Sequence, residues 1–127
     1  EVKNYDVSNL DRAKSAHYGW LKDKLGNPRD YELRFYENHS SALDSINIIE
    51  EVIGKDAILA SRDVSWKEGN SDRRVNRRGS SSGPGSAKAK YLYYLIYENV
   101  VILCEGLDEN ESIELCNSII NKINLTN

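Results

Sequence analysis

The sequence has no methionine, only two histidines and two cysteines, and no apolar run of membrane-spanning length. Each shortage excludes something. A transmembrane helix needs about 20 apolar residues, whereas Val100 to Cys104 has the length of a strand. The two histidines, His17 and His39, lack metal-ligand spacing and a third ligand, which argues against a zinc centre. His17 reads as a hydrogen-bonded, partly buried imidazole, and His39 as solvent-facing. Without methionine, a chain opening on Glu1 reads as trimmed. No signal peptide is visible, and no cofactor is expected.

What is present suits one α+β domain spanning residues 1–127, large enough to bury a core without metals. Leu10, Ala13, His17, Trp20, Leu21 and Leu25 recur at helical spacing after Ser8, and Gly26-Asn27-Pro28 would end that helix. Tyr31, Leu33 and Phe35 alternate with Glu32, Arg34 and Tyr36, which predicts a strand. A second helix is expected from Ser40 or Ser41 to Gly54, with Ala42, Ile46, Ile49 and Ile53 facing inward. Ala57 to Ala60 with Val64 to Trp66 read as a second strand. Tyr91 to Tyr97 and Val100 to Glu105 form the clearest hairpin, turned at Glu98-Asn99 and placed centrally or under covering helices. Asp108 and Glu111 begin a last helix as a capping box. The expectation is a four-stranded antiparallel or mixed sheet with about three helices packed mainly on one face.

A long polar loop, at about 67–90, interrupts this plan, and connections of that length usually carry function or lack order. From Arg62 to Lys90 eight basic residues stand against three acidic ones, a local charge of +5 in a chain of −3, leaving −8 elsewhere. Arg73, Arg74, Arg77 and Arg78, with Trp66 as a stacking surface, are the candidate contacts for an anionic partner: a ligand or an acidic protein surface. The plainer alternative is a solvated connection, which most charge runs are. Nucleic acid is disfavoured as a partner by the acidic remainder.

Three motif matches fail on context. Gly79-Ser80-Ser81-Ser82-Gly83 fits the nucleophile elbow only as letters, because no strand precedes it and Pro84-Gly85 follows it. Gly85-Ser86-Ala87-Lys88 lacks the order of a phosphate loop. A basophilic kinase pattern at Arg77-Arg78-Gly79-Ser80 is too short to weigh.

Cys104 ends a strand and Cys116 lies two turns into the next helix. A helix folding back on its strand brings such positions close, and a disulfide forms if the alpha carbons come within about 7 Å. Two reduced, buried cysteines are the alternative; the disulfide is favoured, and with it an extracytoplasmic location (secreted, periplasmic or lipid-anchored). Reduced cysteines would mean the cytoplasm. The closing stretch, with Cys104-Glu105-Gly106 and Cys116, resembles small uncharacterised exported or lipoprotein-like proteins of marine bacteria. The resemblance implies an exported protein with that disulfide and brings no activity with it.

The leading functional expectation is a small extracytoplasmic binding domain rather than an enzyme. One alternative is a small hydrolase or transferase assembled from scattered groups such as His17, a tyrosine and a carboxylate. The other is a nucleic-acid-binding module.

Overall fold

The computed structural model describes residues 3–8, 10–59, 63–66, 74–76 and 88–126. Its centre is a five-stranded, wholly antiparallel sheet in the order β1-β2-β3-β7-β6, formed by β1 (Lys3–Tyr5), β2 (Ala13–Lys22), β3 (Pro28–Tyr36), β6 (Tyr91–Tyr97) and β7 (Val100–Glu105). The helices are α1 (His39–Leu43), α2 (Ile46–Glu50) and α3 (Glu109–Thr126); a two-stranded ribbon pairs β4 (Val75–Asn76) with β5 (Lys88–Ala89). The protein is therefore α+β, with five strands in its main sheet where four were expected.

The largest correction concerns Ser8 to Leu25. The apolar residues there match helical spacing, but the segment forms β2, paired on both sides. Gly19 is a poor residue for a helix interior, and in the strand it lies opposite Tyr31. The glycine expected past the end of a helix is instead a turn residue: Gly26 has φ +85°, a conformation glycine adopts without steric cost. Asp23 Oδ1 accepts from the Leu25 and Asn27 amides at 2.9 Å each, and the Asp23 amide donates to the Asn27 carbonyl at 2.8 Å, closing the β2–β3 hairpin.

The expected second helix is two short ones. Asn38 caps α1 by accepting from the Ser41 amide at 2.8 Å. Ser45 Oγ then donates back to the Ala42 carbonyl at 2.7 Å, a bond that competes with continuing the helix. The strand expected at Ala57–Ala60 and Val64–Trp66 is absent among the described residues there; β2 takes its place in the sheet.

The β6–β7 hairpin and α3 form where the pattern puts them. Glu98 occupies the turn at φ +56°, and Asn99 Nδ2 donates to the Tyr36 carbonyl at 2.8 Å, tying the turn to β3. At the start of α3 the Glu111 amide donates to Asp108 Oδ1 at 2.8 Å and Glu111 Oε1 accepts from the Leu107 amide at 3.1 Å, the reciprocal bonding of a capping box. β7 is buried along its whole length, whereas β6 is one of the sheet's two edge strands and packs beneath α3.

Helices cover both faces of the sheet, not mainly one. On the first, α3 buries Leu115, Cys116 and Ile119 against Val100, Ile102 and Cys104. On the second, Ala42, Ile49 and Val52 pack on Tyr36, Tyr91, Val101 and Leu103. The disulfide joins Cys104 to Cys116 with the alpha carbons 5.8 Å apart, stapling β7 to α3. Among the described residues no helix is long and apolar enough to cross a membrane.

Two outcomes follow from these restraints. Replacing both cysteines by alanine should cost about 3 kcal/mol for a closed loop of this size, a fall of roughly 10 °C in Tm for a chain of this length, read by thermal unfolding against wild type under oxidising conditions. The Asn27 amide, the Leu25 amide and the Arg29 guanidinium hold Asp23 below the usual carboxylate range, against the opposing effect of burial. A depressed folded value stabilises above the unfolded value near pH 4 and is lost as pH falls through the lower one. Urea unfolding should therefore find Asp23→Ala less stable than wild type at neutral pH, with the gap closing as the medium is acidified below the unfolded value near pH 4; a gap that widens on acidification contradicts this.

Candidate functional site

Alternation along β3 sends Tyr31, Leu33 and Phe35 to the α3 face and Asp30, Glu32, Arg34 and Tyr36 to the other. Such a charged row ordinarily faces water. Here it is covered: Asp30 is 7% exposed, Glu32 0% and Arg34 1%. Glu105 at the end of β7 (0%) and Tyr91 at the start of β6 (0%) join the same row.

The cover is built in part from the polar segment itself. Trp66, 4% exposed, lays its ring over Arg34, whose guanidinium carbon is 4.7 Å from the ring centroid, a cation–π contact. Arg74, 1% exposed, donates from Nη2 to the Trp66 carbonyl at 2.9 Å. The Lys90 amide donates to the Arg74 carbonyl at 2.8 Å, and Lys90 Nζ pairs with Asp30. Beneath them the Tyr91 hydroxyl donates to Glu32 Oε1 at 2.6 Å, Arg34 Nη2 stands 3.6 Å from Glu32 Oε2, and Glu105 Oε1 accepts from the Asp30 amide at 2.6 Å. Tyr5 meets the edge of Trp66 at 6.3 Å and stacks on Tyr18 at 4.5 Å, extending the cover towards β1.

Three carboxylates (Asp30, Glu32, Glu105) and three cations (Arg34, Arg74, Lys90) thus occupy one buried layer with no net formal charge. Burying paired charges contributes little net stability, but removing one partner is expensive because its counterion stays behind. The layer is suited to holding a chain in place.

Of the residues singled out for an anionic partner, Arg74 and Trp66 turn inward, and neither presents a binding surface. Arg74 is held by its bond to the Trp66 carbonyl, and Trp66 by its contact with the Arg34 guanidinium. Arg73, Arg77 and Arg78 lie outside the described residues. The ribbon β4–β5 closes the base of the intervening segment, with Val75 opposite Ala89 and Asn76 opposite Lys88. Sequence reasoning missed Asp30, Glu32, Lys90, Tyr91 and Glu105. Their signal was the charge asymmetry itself, since a +5 segment and a −8 remainder can satisfy each other inside one chain.

His17 lies on β2, not on a helix. Its ring contacts Asn4 and Ser15 rather than a tyrosine and a carboxylate. His39, exposed at the start of α1, has its Nδ1 2.6 Å from the Glu98 carbonyl. Elsewhere a groove of about 410 Å³ opens between the β2–β3 turn and α3, lined by Lys22, Lys24, Leu25, Glu114 and Leu115 and bridged by a Lys24–Glu114 pair at 3.4 Å.

Over residues 1–125 the chain matches the model of a family of unknown function, DUF6810, and it belongs to that family. No curated protein and no solved structure matches it.

The layer makes a direct demand on stability. Arg34→Met should destabilise by about 3–5 kcal/mol through the stranded Glu32 carboxylate, and Tyr91→Phe by about 1.5–3 kcal/mol through loss of a hydrogen bond to a charged group. Urea midpoints at neutral pH measure both; unchanged midpoints would mean that the row holds nothing.

Proposed function

We propose that this protein is an extracytoplasmic interaction domain that presents Arg73, Arg77 and Arg78 to an anionic surface from a pinned base. The observation that carries the reading is the anchoring of that base. Arg74 and Lys90, which flank the ribbon, are held in the buried ionic layer, so the arginines beside Arg74 leave from a fixed point. Fixing the ends of a loop lowers the entropy lost when it engages a partner. The Cys104–Cys116 bond supports that compartment, because such bonds persist outside the reducing cytoplasm. A body of −8 repels phosphate backbones, which favours a locally contacted anionic surface over extended nucleic acid.

The test separates the anchoring arginine from the presented ones. Arg73, Arg77 and Arg78 are changed together to serine with Arg74 retained, and binding to phosphatidylglycerol vesicles is compared with wild type. At about 1 kcal/mol per cation near an anionic surface, affinity should fall by about two orders of magnitude while Tm is unchanged. Equal binding by the two proteins, or none by wild type, removes the reading.

A further inference from the structure

On the α3 face of the sheet, away from the ionic layer, three polar side chains from two adjacent strands line up. Ser15 and His17 are two residues apart on β2 and so point to the same side; Asn4 on β1 is the direct partner of His17. His17 Nδ1 is 2.6 Å from Asn4 Oδ1, and His17 Nε2 is 3.1 Å from Ser15 Oγ. An amide oxygen only accepts, so Nδ1 carries the ring proton and Nε2 presents its lone pair to the serine hydroxyl. The Phe35 ring meets the imidazole edge-on at 5.5 Å and limits its rotation. A hydroxyl, a base within hydrogen-bond reach and a third group orienting that base form the arrangement that activates a nucleophile.

The surroundings suit an acyl group. Phe35 is the cross-strand partner of Ser15 and Leu33 that of His17, both half-buried on the same face. α3 packs chiefly on β6 and β7, and Ser15 and His17 are only half-buried. An aliphatic chain lying along Leu33 and Phe35 would place its carbonyl beside Ser15.

We propose that Ser15 is a nucleophile that accepts acyl groups from activated esters, with His17 as its general base and Asn4 as the positioning residue. Ser15 Oγ bonds to the acyl carbon while its proton passes to His17 Nε2. The alcohol then leaves as the carbon–oxygen bond breaks, taking that proton. Water, deprotonated by the same nitrogen, later releases the acid and restores the serine. A neutral amide orients the imidazole but does not stabilise the imidazolium as a carboxylate does, which confines the reaction to donors with good leaving groups. The site is separate from the arginine segment, and its failure would leave that reading untouched.

An alkyl fluorophosphonate tests the relay, because the serine oxygen displaces fluoride at phosphorus while the proton goes to His17. Peptide mass spectrometry should find Ser15 modified ahead of every other serine. His17→Gln should slow that modification about a hundredfold, and Asn4→Ala should slow it several-fold with recovery in Asn4→Asp, all with unchanged circular dichroism. Ser15 left unmodified, modified no faster than the other serines, or modified equally fast in His17→Gln overturns the proposal.

Discussion

Six ionisable side chains gather on one face of the sheet beside the ring of Trp66, and the rest of the architecture depends on their mutual neutralisation. Isolated charges in that position would cost several kcal/mol each. Asp30, Glu32 and Glu105 lie in register on neighbouring strands, while Arg34, Arg74 and Lys90 arrive from β3 and from either side of the ribbon. The layer supplies little net stability and a good deal of specificity. A slip of β3 by one residue would turn Glu32 and Arg34 to the α3 face, against Ile102, Cys104 and Cys116.

The two faces therefore do different jobs. Against α3 an aliphatic and aromatic core is closed by the disulfide, and the buried Arg29 ties the start of α3 to the β2–β3 turn through Glu111 and Asp23. On the opposite face a smaller apolar cluster around Ile49 and Leu103 continues into the ionic layer, with Trp66 between Arg34 and the small cluster of Leu10 and Ala16. A segment with almost no apolar residues of its own thus gains an attachment through charge, one tryptophan and backbone hydrogen bonds.

The legible parts of the sequence were those in which local signals agreed with the tertiary answer. The Tyr91–Tyr97 and Val100–Glu105 pair, the Asp108–Glu111 cap and the cysteine spacing each carry their own geometry. Residues 8–25 misled because apolar residues at 10, 13, 17, 20, 21 and 25 satisfy a helical period, and the Gly26-Asn27-Pro28 turn that folds β2 back onto β3 reads equally well as the end of a helix. In β3 the alternation was readable but its meaning was not. A row of Glu32, Arg34 and Tyr36 looks solvent-facing unless Trp66 and Arg74 are known to cover it. For the same reason the arginine segment read as a free tether, although one of its four arginines belongs to the interior.

Amide hydrogen exchange at Lys90 tests the central claim most directly, because that N–H bonds the Arg74 carbonyl and reports whether the base of the segment is held. In wild type the Lys90 amide should exchange slowly, as the amides of β3 and β7 do. In Arg74→Met, where the buried guanidinium is gone, its protection should collapse while β3 and β7 keep theirs. Fast exchange at Lys90 in wild type, or protection that Arg74→Met leaves intact, would contradict an ionic anchor.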